Sequence, residues 1–239
     1  MIDPSRARHT IDMPIERVRK IDDVVKVRRA LISVSDKSGL ELLVPDLLRL
    51  APDIEFYSTG GTHSAIEEIL GASSSHLIRV STYTGQPEMS GGLVKTLDFK
   101  IYLGILSETY NPLHRDDLSR TGAVPFDLIV SNLYPFASTV SRPDSDLEAA
   151  RGNIDIGGPT MIRAAAKNYL RVAVITNPAA YPGIIDEIET HSGTTLSTRF
   201  GLAKNAFAHT AEYDNAISSY LSALDPNAAS TPYLIEGAE

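Results

Sequence analysis

From Ala30 onward, short apolar runs rich in β-branched residues exchange with stretches whose apolar positions recur every three or four residues, the pattern of strands alternating with helices. Ala30-Leu31-Ile32-Ser33-Val34 predicts a strand, Gly39 to Leu50 a helix, and Glu55-Phe56-Tyr57 a second strand. Ser64 to Leu70 predicts a helix that ends at Gly71, as helices often do. Leu77 to Val80, Tyr102 to Leu106, Phe126 to Val130 and Val172 to Thr176 are the further expected strands. Their alternation with helices predicts an α/β fold with a doubly wound, mainly parallel sheet.

Ahead of this pattern, residues 1–28 read as an N-terminal extension. Ile15, Val18, Ile21 and Val25 recur after Pro14 at spacings of three or four and predict a helix. Its apolar stripe packs either on its own domain or on a partner. The core is expected over 29–178, followed by a C-terminal helical extension and tail over 179–239, loose from Asp225 onward.

Composition narrows the classes. At 239 residues and 43% hydrophobic content the chain can bury a sizeable core. No window approaches the roughly 18–20 apolar residues of a membrane helix, and Met1 to Arg8 lacks the apolar stretch of a secretion signal, so the expected compartment is the cytoplasm. Without cysteine there is no disulfide framework, thiolate nucleophile or cysteine-ligated metal. A net charge of -8 argues against broad nucleic-acid binding, so an anionic ligand must meet a small local cluster of positive charge.

In doubly wound sheets ligands bind at the carboxyl ends of the strands, and the polar segments fall there. Ser33-Val34-Ser35-Asp36-Lys37-Ser38-Gly39 offers hydroxyls and an ammonium where a helix start favours anions; phosphate binding and simple helix capping by Ser35 or Asp36 both fit. Ser58-Thr59-Gly60-Gly61-Thr62 is a second such turn, without the spacing of a P-loop. Gly91-Gly92-Leu93-Val94-Lys95-Thr96 holds a lysine that either reaches a cleft or stays solvated. Asn132-Leu133-Tyr134-Pro135-Phe136 ends an apolar strand with an amide and a phenol. In Ile154-Asp155-Ile156-Gly157-Gly158-Pro159-Thr160, paired glycines open a helix that runs through Arg163 to Lys167, with Asp155 at its mouth. Asp155 with Arg163 or Lys167 reads equally as a structural ion pair or as part of a site. The six histidines show no metal-binding spacing, and no Gly-x-Ser-x-Gly elbow occurs.

Taken in order, these segments, together with Tyr83-Thr84-Gly85, Pro87-Glu88-Met89, Gly104-Ile105-Leu106 and Arg163-Ala164-Ala165-Ala166-Lys167-Asn168, resemble the IMP cyclohydrolase domain of the bifunctional AICAR transformylase/IMP cyclohydrolase family, from about Ala30 to Tyr220. The resemblance implies a methylglyoxal-synthase-like fold and dehydrative closure of FAICAR to IMP without a cofactor or metal. It implies catalytic roles for Lys95, Tyr134, Asp155 and Lys167. It implies substrate binding by Ser33, Ser35, Lys37, Ser58, Thr59, Gly60, Gly61, Thr62, Thr96, Asn132, Ile156 and Gly157. In the expected scheme Asp155, paired with Lys167, relays the amide proton, Lys95 stabilises the oxyanion and Tyr134 positions the formyl group.

The chain departs from the family at Leu93, where Arg is usual, at Asp98-Phe99, where His-Pro is usual, and at Tyr102, often His. Ala206 to Ala211 and Tyr213-Asp214 resemble the helical link to a transformylase, which is expected to be absent here. The expected partners are accordingly a nucleotide substrate, a second copy of the chain and a separate AICAR formyltransferase, with neither nucleic acid nor membrane. The alternatives are a methylglyoxal synthase-like lyase and a catalytically altered nucleotide-binding domain that partners a formyltransferase.

Overall fold

The computed structural model describes residues 17–87, 95–230 and 232–234. The chain enters through β1 (Val24–Val25) and β2 (Arg29–Ser33), then runs through α1 (Leu40–Leu50), β3 (Glu55–Ser58), α2 (Gly60–Leu70), β4 (Leu77–Arg79) and α3 (Val80–Thr84). After α4 (Phe99–Leu106) and α5 (Pro112–Thr121) come β5 (Leu128–Ser131), α6 (Phe136–Val140), α7 (Leu147–Gly152), α8 (Gly157–Lys167) and β6 (Ala173–Ile175). Next come α9 (Tyr181–His191), β7 (Thr194–Thr195) and the 27-residue α10 (Leu196–Ser222).

Strands β2 to β6 form one sheet in the order β4-β3-β2-β5-β6, each neighbouring pair parallel. A parallel sheet is covered on both faces, which is why its strands are apolar at successive positions. Ala30, Ile32, Phe56 and Val130 pack with Leu43, Leu47, Ile66 and Ile184 of α1, α2 and α9. On the opposite face, Leu31, Tyr57, Ile129 and Val174 pack with Ile101, Ile105, Ile162 and Ala206 of α4, α8 and α10. The chain winds from β2 outward to β4, then returns to the other side of β2 with β5, so the sheet reverses direction between β2 and β5. That reversal opens a crevice at the carboxyl ends of these two strands.

The doubly wound α/β architecture matches the sequence pattern, with two local differences. Tyr102 to Leu106, expected as a strand, is part of α4. Asp98 caps this helix by accepting from the Lys100 N–H at 2.8 Å, and Ile101, Gly104 and Ile105, at helical spacings of three and four, are its buried positions. A run apolar on every side had hidden that period. The helix expected from Pro14 to Val25 also does not form where it is described: Arg17 to Asp22 have no helical structure, and Val24 and Val25 pair antiparallel with Thr195 and Thr194. Carbonyls that a helix would use internally are taken by a buried side chain, Arg199, which donates to Asp22 O at 2.8 Å and Asp23 O at 3.0 Å. Val18, Ile21 and Val24 stay exposed. Pro14 and Ile15 lie outside the described residues. No helix among the described residues is long and apolar enough to cross a membrane.

Candidate active site

A cleft of about 350 Å³ opens where the sheet reverses, lined from β2, the turn after β3, β5, the start of α8 and the segment that carries Lys95. Ser33, Ser35 and Lys37 border it from the β2–α1 turn. This turn is braced across the reversal by Asn132: its Oδ1 accepts from Ser35 N–H at 2.7 Å and Asp36 N–H at 2.9 Å, and its Nδ2 donates to Asp36 O at 2.8 Å. Asp36 is held in a tight local turn, accepting from the Ser38 amide at 2.9 Å and the Ser38 hydroxyl at 2.6 Å, which together set its carboxyl below the usual range. The residue that caps α1 is Gly39, so neither Ser35 nor Asp36 is spent as a helix cap.

The β3–α2 turn forms the adjoining wall. Helix α2 starts at Gly60, so its first backbone N–H groups are unpaired within the helix and suit an anion. Gly60 has φ +47, a left-handed conformation that favours glycine, and a Cβ there would lie 3.5 Å from Lys95 Nζ. At Gly61 the nearest atom to such a Cβ is Lys37 Cε, 3.8 Å away. Two ammonium-bearing side chains thus converge on one glycine pair. Thr62 ties this turn to β2, accepting from Val34 N–H at 3.2 Å and donating to Val34 O at 3.0 Å.

Across the cleft stands Asp155. Its Oδ1 accepts from Gly158 N–H at 2.9 Å, at the N-terminal end of α8. Gly158 is required by this packing: a Cβ would lie 2.6 Å from Leu133 Cδ2 and 2.7 Å from Asp155 Oδ2. Burial pushes the Asp155 carboxyl up, against the opposing pull of the Gly158 and Tyr134 backbone N–H groups and the Lys95 charge. The outcome is a carboxylate more basic than one in water, and suited to taking a proton. Beneath it, the Tyr102 hydroxyl is buried, and burial followed by the Asp155 charge pushes it up to about 12.

Thirteen of the expected site residues line this cleft: Ser33, Ser35, Lys37, Thr59, Gly61, Thr62, Lys95, Thr96, Asn132, Tyr134, Asp155, Ile156 and Gly157. Ser58 does not; it is buried and donates to Ile32 O at 2.7 Å, joining β3 to β2. Gly60 contributes backbone conformation beside Lys95. Lys167 is exposed at the far end of α8, an 11-residue helix about 16 Å long, so the expected pairing with Asp155 within one chain does not form. Arg163 lies over the Phe207 ring of α10, 5.5 Å from its centroid, instead of meeting Asp155. Of the departing positions, Asp98 is a helix cap and Phe99 is 61% exposed, and neither lines the cleft. Leu93 is outside the described residues.

Two contributors escaped the sequence reading. Tyr213 of α10 accepts from Asp155 N–H at 2.8 Å and donates to Asn153 O at 3.1 Å, holding the loop that carries the carboxylate. Nothing local to Asp155 signals a partner 58 residues away. Ser131 ends β5 inside an apolar run and lines the cleft between the more conspicuous turns.

Residues 42–160 match the family model of the MGS-like domain, and residues 165–237 that of the AICARFT/IMPCHase bienzyme. The chain is 45% identical over 212 residues to the bifunctional purine biosynthesis protein PurH of Neisseria meningitidis serogroup A, an overlap of 88% of this chain and 39% of that protein. It is 46% identical to the PurH of Sorangium cellulosum over 208 residues, 85% of this chain and 38% of the relative. The corresponding figures for Rhodopirellula baltica are 47% over 201 residues, 84% and 37%. The chain therefore spans under two fifths of the length of these curated relatives. Among solved structures it is similar to the crystal structure of ForH, with a TM-score of 0.69 and 28% identity, covering 82% of this chain and 100% of that one.

Proposed function

Since the chain belongs to the AICARFT/IMPCHase bienzyme family and carries its MGS-like domain, we propose that it is an IMP cyclohydrolase, closing FAICAR to IMP with loss of water. The observation that carries this reading is the opposition of two ends of one cleft. Lys37 reaches the Gly60–Gly61 helix start at one end, Asp155, a carboxyl of raised basicity, stands at the other, and Lys95 borders Gly60 while its charge also acts on Asp155.

In this reading the substrate's phosphate lies by Lys37 and the Gly60–Gly61 helix start, and its carboxamide and formyl groups lie between Lys95 and Asp155, whose charges act on one another. The carboxamide nitrogen attacks the formyl carbon, forming the new C–N bond, while its proton passes to Asp155. Lys95 bears on the oxygen that gains charge; that oxygen takes up the carboxamide proton from Asp155 and a second proton from the formamido nitrogen, and leaves as water as the C=N bond forms and the ring becomes aromatic. An amide nitrogen is a weak nucleophile, so much of the acceleration comes from holding the two groups together, an effect worth roughly 7–11 kcal/mol in favourable intramolecular cases. Tyr134, at the same end, orients the formyl group. Lys167 takes part in such a cleft only if a second copy of the chain delivers it. The reaction needs no cofactor and is assigned to the cytoplasm; the formyl group comes from an AICAR formyltransferase, on this polypeptide or another.

The test is a spectrophotometric FAICAR cyclisation assay on the purified chain, with triose phosphate as a second substrate. Turnover of FAICAR that disappears in Asp155→Asn and Lys95→Gln supports the reading. Tight IMP binding without FAICAR turnover would make the domain a nucleotide binder, and turnover of triose phosphate alone would make it a lyase.

A further inference from the structure

The polar side chains where β2, β3 and β5 end mostly have fixed tasks. Thr62 is bound to both backbone groups of Val34, Asn132 braces the β2–α1 turn, and Ser58 joins two strands. Ser131 differs. It is 1% exposed, it lines the cleft, and its hydroxyl has no hydrogen-bond partner among the described residues. Leaving a buried hydroxyl unpaired costs about 1–3 kcal/mol, and folded chains rarely tolerate it without a use.

The location of Ser131 defines that use. Its strand partner is Ser33, across the point where the sheet reverses. Side chains alternate along strands, so both serines face the side of Leu31 and Ile129, where α8 packs. Toward β3 lies the cationic end of the cleft, and past β5 lies Asp155. Strands β3 and β5 are two sheet spacings apart, roughly 10 Å, so a ligand gripping both ends must lay an intermediate moiety over Ser33 and Ser131. In a nucleotide the group between phosphate and base is a sugar, whose hydroxyls can both donate and accept.

We propose that Ser131 is a specificity-determining residue that hydrogen-bonds a ribose hydroxyl of the bound nucleotide. The inference rests on the nucleotide reading given above. Serine has three staggered side-chain positions, so rotation about one bond is the adjustment by which its oxygen meets a ligand in the cleft. The ligand then supplies the partner that the fold withholds.

Calorimetric titration of wild type and Ser131→Ala with IMP and its 2′-deoxy and 3′-deoxy forms tests this. Wild type should prefer IMP over one deoxy form by about tenfold, the equivalent of one good hydrogen bond. Ser131→Ala should bind IMP about tenfold more weakly, bind that deoxy form unchanged, and so lose the preference. Its thermal midpoint without ligand should equal or exceed that of wild type, because the hydroxyl removed had no partner. An equal loss of affinity for all three ligands, unchanged IMP affinity, or a lowered midpoint would overturn the proposal while leaving the nucleotide reading standing. Failure of wild type to bind IMP at all would overturn both.

Discussion

Asp155 is subject to opposing influences: burial raises its proton affinity, whereas two backbone N–H groups and Lys95 lower it without cancelling the rise. A carboxyl whose folded pKa is raised favours the folded chain while it is protonated. That stabilisation is complete below the unfolded value of about 3.9 and is lost as pH climbs through the raised folded value. Asp155→Asn, which cannot ionise, should therefore unfold at higher urea concentration than wild type at pH 7, with the gap narrowing as pH falls toward 4. The same variant should lose on the order of 10²- to 10⁴-fold in FAICAR turnover, the usual weight of a general base. A variant less stable at neutral pH would mean that the carboxylate is a structural anchor of α8 first and a base second.

The turns at the strand ends depend on one another through Asn132, which connects the end of β5 to the β2–α1 turn with three hydrogen bonds. Asn132→Ala should weaken IMP binding by about tenfold or more, while changing the turnover of bound FAICAR much less, as KM and kcat measured separately will show. If kcat falls and KM stays constant, the amide acts at the reacting end. The strands and both cradle turns were legible in the sequence because each signal is local: an apolar β-branched run, then hydroxyls and glycines within a few positions. Helix α4 was misread because Ile101 to Leu106 are apolar all round, which erases the period that separates helix from strand. The N-terminal arm was misread for the opposite reason: its spacing imitates a helix, and the residue that decides otherwise, Arg199, lies 177 positions from Asp22. Asp155 and Lys167 were correctly placed at the two ends of one helix, but the length of that helix rules out their pairing within the chain.

At the scale of the whole molecule, Arg199 holds separate parts of the chain together. Fully buried, it donates to the carbonyls of Asp22, Asp23, Tyr169, Leu170 and Thr194, and so joins the N-terminal arm, the connection into β6 and the start of α10. Arg199→Leu strands these carbonyls and should cost about 3–5 kcal/mol in urea unfolding. Hydrogen exchange should accelerate first at Val24–Val25 and Thr194–Thr195. Intact protection at those residues would show that the β1–β7 pairing stands without the guanidinium. Lys167 sets a second test at this scale. If a second copy delivers it, equal mixtures of Asp155→Asn and Lys167→Ala chains should recover part of the FAICAR turnover that each lacks alone. Mixtures as inactive as their components would remove Lys167 from a shared cleft.

The hydroxyl of Tyr213 grips the Asp155 loop from far down α10. The same helix covers one face of the sheet through Ala203 and Ala206. During synthesis the five sheet strands emerge from the ribosome well before this tyrosine does, so the loop that carries Asp155 gains its tether only when α10 has been made and has docked.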